Sequence, residues 1–469
     1  MNVICIMMDS WRVDYLDCHP YWNGWVKTPC ANKLASEGTL FENAYSEGVP
    51  TLPARMALFT GRYTFPFRPW QRLENNDLLL SDVLDQAGYT TALIADSTPV
   101  KRSNYMMGFA YVEFSDNWNP HKPQPPWLPK AKVDIYRYHK DIGDQKDEYW
   151  RNRLRKELEK TLLWKSDEES YVATTVKNAM NWLERQQRLD NIFLWLDCWD
   201  PHEPWIPPPP FNTMYLDPDY EGPLLVHPRP GPGGVVSGYY TEDELNCIRA
   251  LYAGEVSMCD KWLGIFINKL EELGLFENTL VIFLSDHGVP LGDHNVLLKA
   301  KCWPYEKCMS RIPLIMRFPD GFGAKKRIKA FVDTTDIMPT ILDFLGVELP
   351  PPRSTHEMLH GHSIIPLVTG EKEKVRDCAY MGWFNRSWAI RDGDWKYIMY
   401  GPNFAYTGKD KPELFNLRED PDELNNLIDE EPELADKLEL RLRRFIHSLP
   451  PPQPPKPIMK SSGYLQPSR

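Results

Sequence analysis

The sequence predicts an α/β protein: one large, mostly parallel sheet with helices on both faces, plus a small C-terminal α+β subdomain. Three observations predict it. Short apolar runs of strand length alternate with helical patterns through most of the 469 residues. Asp9, the stretch Asp200 to His202, and Asp286 with His287 each follow directly on such a run, where ligands bind in sheets of this kind. After about Val375 the alternation gives way to closely spaced short strands and then a helix. Residues 1–375 are therefore assigned to a catalytic-type domain, 376–449 to the subdomain and 450–469 to a Pro-rich, extended tail.

In chain order, Val3–Met8, Thr91–Ala95, Ile192–Asp197, Leu280–Leu284 and Pro313–Arg317 read as strands. Pro29–Glu37 and Leu78–Gln86 read as helices closed by Gly38 and Gly88. Asp167–Gln187 is a third helix. Glu242–Leu273 is a fourth, opened by the capping-box pattern of Thr241 and Glu244. Residues 119–165, dense in Pro, aromatic and charged side chains, read as an insertion, and Pro207–Pro210 and Pro228–Pro232 border another long loop, expected at the rim of the site. In the last part, Asp377–Met381, Ser387–Arg391 and Trp395–Tyr400 are short strands and Glu431–Phe445 is a helix.

A net charge of −11, spread along the chain, argues against a partner with a phosphate backbone, so no nucleic acid is expected. No apolar stretch approaches the roughly 20 residues that a membrane span needs. The N-terminus MNVICIMMDS lacks a basic region and a small-residue cleavage site, and the nine scattered cysteines suit a reducing compartment. A cytoplasmic location is the expectation. Cys302 and Cys308 are expected as buried thiols. The tail is either an arm for a homo-oligomer or a frayed end.

The chemistry concentrates in residues 48–62, GVPTLPARMALFTGR. Pro53 sits early in a helix, where its missing N–H costs nothing, and Leu52, Met56 and Phe59 supply an apolar face. Thr51 then lies at the helix N-terminus, which favours an anion, and Arg55, one turn on, can fork onto two oxygens of a phosphate or sulfate. Asp9 closes the first strand; Asp286 and His287 close a later one in VIFLSDHGVPLGDH. Two carboxylates, one imidazole and the Thr51 oxygen form a mixed O/N set for one divalent cation, which would lower the pKa of the Thr51 hydroxyl. Taken singly, each has an ordinary reading as a helix cap or a satisfied core histidine.

The spacing Thr-x-Pro-x-Arg followed by Thr60-Gly61-Arg62 resembles the active-site motif of the sulfatases, within the alkaline phosphatase superfamily. The SDHG…GDH run ending at Lys299, WDPHEPW around His202, VDTTDIMPTILDFLG at 332–346, and DGDWKYI with ELFNLREDPDELNNL resemble that superfamily too, in its order, over roughly residues 1–430. The resemblance implies an alkaline phosphatase-like fold and a metal-dependent ester hydrolase. Asp9, Asp286, His287 and Thr51 would hold the metal, with Mn2+ or Zn2+ favoured by the histidine and Ca2+ or Mg2+ left open. Thr51 would be the nucleophile and Arg55 would orient it. Lys299 and His202 would meet the transferred group and leaving oxygen, with His202 also available as general acid.

Three departures set the expected substrate. Ser10 follows Asp9 where sulfatases carry a second acidic ligand. GYTTALIADST offers Asp96 and Thr98 as substrate-binding residues where a Lys-x-His pair is usual. Thr51 stands where the family has Cys or Ser, the precursors of formylglycine. His287 and Thr98 are closer to the phosphonate monoester hydrolase and phosphodiesterase branch. The expected partner is a small-molecule ester, preferably a phosphodiester or phosphonate monoester. A sulfuric ester hydrolase and a catalytically silent homologue with a binding role are the alternatives.

Overall fold

The first strand, Asn2–Met8, is buried along its whole length, with Val3, Cys5 and Met7 in one apolar core and Ile4, Ile6 and Met8 in another. A strand that must bury both faces needs a layer on each side. One face carries the helices Pro29–Glu37, Tyr171–Arg185 and Glu242–Glu272; the other carries Thr51–Thr60, Leu80–Gln86 and Ile337–Leu345. The computed structural model describes residues 1–115, 129–140, 147–186, 190–229, 236–299, 301, 303–349, 351–352, 358–401, 409 and 411–450, the Thr98 side chain excepted.

Eight strands form the sheet, in the order Tyr111–Phe114, Thr90–Ala95, Ile192–Cys198, Asn2–Met8, Thr279–Leu284, Leu314–Arg317, Thr39–Phe41 and Lys326–Ile328. The first five run parallel. Leu314–Arg317 runs antiparallel to both its neighbours, which makes the sheet mixed as well as mostly parallel. The central strands match their sequence assignments to within a residue. The expected helix Asp167–Gln187 divides into a short 3-10 turn, Asp167–Glu169, and the helix Tyr171–Arg185, whose N-cap Ser170 accepts from Ala173 N–H. The Thr241–Glu244 capping box forms as expected.

The expected insertion contains a helix of its own, Asp147–Thr161, seated through Leu154 and Leu158 on the core that holds Ile4, Ile6 and Met8. Residues 116–128 and 141–146 of that region, the tail from 451 onward, and Cys302 lie outside the described residues. Cys308 is a buried thiol. Among the described residues, no helix is long and apolar enough to cross a membrane.

The C-terminal part is an antiparallel sheet of Cys378–Trp383, Ser387–Asp392, Trp395–Tyr400 and Glu413–Asn416. The helix Pro432–Ser448 covers one face of it, with Ala435, Leu438 and Leu442 against Ile390, Tyr397 and Leu414. This sheet also braces the segment before Thr51: Val49 N–H donates to Gly382 O at 3.0 Å, and Gly382 N–H donates to Glu47 O at 2.8 Å.

Candidate active site

The carboxyl ends of three adjacent parallel strands deliver the acids. Asp9 follows the first strand, Asp197 is the penultimate residue of Ile192–Cys198, and Asp286 lies two residues past Thr279–Leu284. All three are fully buried. Asp9 N–H extends the ladder to Cys198 O at 3.0 Å. Ser10 then adopts a left-handed φ of 66°. In that turn its N–H donates to Asp286 Oδ1 at 3.0 Å and its hydroxyl to Asp9 Oδ1 at 2.6 Å. A serine backbone in this region is uncommon and carries some strain, here compensated by two hydrogen bonds to carboxylates.

From the opposite side comes Thr51–Thr60, a helix buried at every position. Pro50 is its N-cap and Thr51 its first residue. One turn on, Arg55 reaches all three acids. Its Nε and Nη2 form a fork onto Asp197 at 3.0 and 2.8 Å, and its Nη1 lies 2.5 Å from Asp286 Oδ2 and 2.9 Å from Asp9 Oδ2. Arg55 is therefore a buried ionic hub beside the nucleophile position. The expected role of orienting Thr51 would act through this hub, with only a long 3.5 Å contact from Nη1 to the Thr51 carbonyl.

His287 Nδ1 lies 2.6 Å from Gly288 O, so that nitrogen carries the proton and Nε2 carries the lone pair. Nε2 lies 3.3 Å from Thr51 Oγ1. Burial lowers the His287 pKa to about 4, so the ring is neutral near pH 7. Asp286 is raised well above the ordinary carboxylate range, by burial first and by the Asp9 charge second. Burial works the same way on Asp9, but the charges of Arg55, His202, His287 and Lys299 outweigh it and hold Asp9 below that range.

The donor set fits one divalent cation. Ligand atoms of Asp9, Asp286 and His287 all lie within 4.8 Å of one another, and the imidazole presents the required lone pair. Asp9 Oδ2 is buried and lacks a hydrogen bond, because its 2.9 Å approach to Arg55 is an ion pair without hydrogen-bond alignment. Three carboxylates against one guanidinium also leave an excess of negative charge in a dry site.

A second group adjoins this cluster. Lys299 Nζ lies 3.4 Å from Ser10 Oγ and 2.5 Å from Glu203 Oε2. His202 stacks on Trp199 with ring centroids 3.8 Å apart, and its Nδ1 donates to Glu203 O at 2.7 Å. Burial lowers His202 to about 4. In this state the ring is neutral and Nε2 accepts, which suits a base better than the expected general acid. The predicted substrate-binding residue Asp96 is used differently. It is buried, with Oδ1 accepting Trp199 N–H at 2.6 Å and Oδ2 accepting the Thr175 hydroxyl at 3.0 Å, so it supports the loop that carries His202. Thr98 begins the short helix Thr98–Arg102; its side chain lies outside the described residues.

Thus Asp9, Thr51, Arg55, Asp286 and His287 come together, with Lys299 and His202 next to them. Two participants were missed by sequence reasoning. Asp197 hides at the end of an apolar strand, where its only signal is a charge inside IFLWLDC. Glu203 lies inside WDPHEPW, its signal being a carboxylate directly after the candidate histidine.

A family model described as Sulfatase matches residues 1–347. The chain belongs to the sulfatase family. It is accordingly a hydrolase of ester bonds within the alkaline phosphatase superfamily. A second model, "N-sulphoglucosamine sulphohydrolase, C-terminal", matches residues 292–448. Relatives of this sulfatase-family chain include the multifunctional alkaline phosphatase superfamily protein PehA of Trinickia caryophylli, 26% identical, with 91% of each chain covered. An arylsulfatase of Clostridium perfringens is also 26% identical, over 92% of this chain and 90% of that one. The fold is shared with the phosphonate monoester hydrolase of Agrobacterium radiobacter, at a TM-score of 0.72 and 23% identity, with 95% and 96% of the two chains covered.

Proposed function

We propose that this sulfatase-family hydrolase cleaves phosphodiesters or phosphonate monoesters, with Thr51 as the nucleophile. The observation that carries the reading is the threonine at position 51, its Oγ1 within 3.3 Å of His287 Nε2 at the edge of the Asp9–Asp286 cluster. A formylglycine hydrate, the nucleophile of sulfatases, sheds its sulfate by elimination that regenerates the aldehyde. Threonine carries a single hydroxyl on Cβ, so its ester lacks this exit. An ester of Thr51 must be opened by water at phosphorus or sulfur, a route that suits phosphoryl groups and makes a sulfated threonine a dead end.

Asp9, Asp286, His287 and Thr51 would hold the divalent ion, which supplies Lewis-acid charge and lowers the hydroxyl pKa. The chain's own residues divide the remaining work. Thr51 Oγ1, its proton released to solvent once the hydroxyl is acidified, attacks phosphorus, and the bond to the leaving oxygen breaks to free the alcohol or phenol. Lys299 offers its ammonium to the charge that develops there. In the second displacement neutral His202, with its lone pair on Nε2, takes a proton from the attacking water, the bond from phosphorus to Thr51 Oγ1 breaks, and Thr51 recovers a proton as the free hydroxyl. Asp197 and Arg55 keep the acids in place throughout.

The test is turnover of aryl phosphodiesters, aryl phosphonates and aryl sulfates by the purified protein with Mn2+ or Zn2+. Phosphodiester or phosphonate cleavage supports the proposal, and sulfate-only cleavage refutes it. The sulfuric ester reading draws on the family itself, and intact mass separates the two: one sulfo group accumulating on Thr51 would mark the dead end.

A further inference from the structure

Glu203 has no part in the mechanism above, yet it lies against two residues that do. It is 7% exposed, with Oε2 2.5 Å from Lys299 Nζ and 3.3 Å from His202 Nδ1. Its main-chain carbonyl accepts the His202 Nδ1–H at 2.7 Å. It is also close to the reacting centre: Lys299 Nζ is 3.4 Å from Ser10 Oγ, which is 2.6 Å from Asp9 Oδ1. The other cation of the site, Arg55, is already opposed by Asp9, Asp197 and Asp286. Each of these two cations thus faces a carboxylate before any ester arrives, and His202 adds no charge near pH 7.

We infer that Glu203 is a specificity-determining residue that selects esters by charge. It offsets the Lys299 ammonium beside the nucleophile, so that a singly charged ester is accepted and a dianionic phosphate monoester is disfavoured. The inference rests on the proposed phosphoryl-ester reading and narrows its substrate class. The physical basis is Coulombic: at short range in a buried site the second charge of a monoester finds the Lys299 ammonium already offset by Glu203 and is repelled by that carboxylate, and discrimination of this kind works by repulsion as much as by fit. Burial alone would raise Glu203, but His202 and Lys299 hold it at about 2, so the carboxylate is ionised wherever the protein is assayed.

The experiment compares wild type, Glu203→Gln and Glu203→Asp on bis(para-nitrophenyl) phosphate, para-nitrophenyl sulfate and para-nitrophenyl phosphate. Glu203→Gln is expected to shift the kcat/KM ratio of monoester to diester upward by about tenfold or more, while Glu203→Asp, which keeps the charge, leaves the ratio near wild type. Calorimetric titration of wild type at mildly alkaline pH is expected to show dimethyl phosphate binding more tightly than methyl phosphate. An unchanged ratio in Glu203→Gln, including a uniform loss on every ester, overturns the inference, as does methyl phosphate binding wild type at least as tightly. Should wild type cleave the sulfate alone, the phosphoryl-ester reading fails, and the two titrations by themselves decide whether Glu203 filters charge.

Discussion

Two buried ionic clusters in this molecule obey opposite charge arithmetic. At the strand ends, Asp9, Asp197 and Asp286 share one guanidinium, Arg55. Where the C-terminal sheet meets the main domain, Glu306 is paired with Arg311 and with Arg391 at 2.9 Å, and Glu423 with Lys396 at 2.9 Å. The pKa directions follow. Glu306, although burial opposes it, is held at about 2, by Arg311 first and Arg391 second, whereas Asp286 is pushed well above its usual range. The interface cluster sets three cations against two carboxylates and stabilises a contact, although burial raises its second acid, Glu423, to about 7. The strand-end cluster has three acids for one guanidinium, a charge deficit that a bound cation would offset.

The largest expected effect is on catalysis. Thr51→Ala should lower kcat by at least about a thousandfold with little change in Tm, because among the described residues the hydroxyl's one hydrogen-bond contact is the long 3.3 Å one with His287. Retained turnover would remove the chemical half of the comparison. Next comes the interface cluster. Glu306→Ala should cost about 3–5 kcal/mol, because it leaves Arg311 and Arg391 buried without their carboxylate. That loss should be equal with and without added metal in denaturant unfolding. Asp286→Asn should do the reverse: after chelation its stability should match or exceed wild type, while stabilisation by Mn2+ or Zn2+ disappears. Equal responses of the two variants to metal would erase the distinction drawn here. In wild type, metal at about a hundredfold excess over Kd should add about 2.7 kcal/mol. A chelator-insensitive Tm would contradict it.

The smallest effect concerns His19, close to the interface cluster. Its Nε2 donates to Glu42 O at 3.2 Å and its Nδ1 accepts Tyr21 N–H at 3.2 Å, so the neutral ring is satisfied at both nitrogens. Burial, and then the charge of Arg311, lowers its folded pKa to about 3. A depressed folded value means that the contribution to stability is whole above the unfolded pKa and is lost as pH falls toward the folded one. Relative to His19→Gln, wild type should lose about 2 kcal/mol between about pH 6.5 and pH 5. A constant difference across that range would show that His19 titrates normally.

Much of the fold was legible because strand and helix periods are local properties. The runs that became Asn2–Met8 and Thr279–Leu284 are apolar throughout, and Thr241 with Glu244 announces its helix within four residues. The helix Asp147–Thr161 was hidden because its many charges dilute the apolar spacing, leaving Leu154 and Leu158 as its main anchors. The three-residue strand Thr39–Phe41 is too short to carry a period. Asp96 was misjudged because an acid after a strand looks the same in sequence whether it faces a ligand or caps the loop beneath, as its bonds to Trp199 and Thr175 do.

By itself, then, the sequence determined which segments become most of the strands and helices, and that Asp9, Thr51, Asp286 and His287 stand near strand and helix ends. Hydrophobic periodicity and residue chemistry act over a few neighbours. Only the tertiary structure decided that Arg55 grips Asp197, 142 residues away, that Thr51 meets His287 across 236 residues, and that Glu203 sits on Lys299. Those pairings arise from how the sheet order brings distant strand ends side by side, and charge balance is a property of the assembled group rather than of any residue in it.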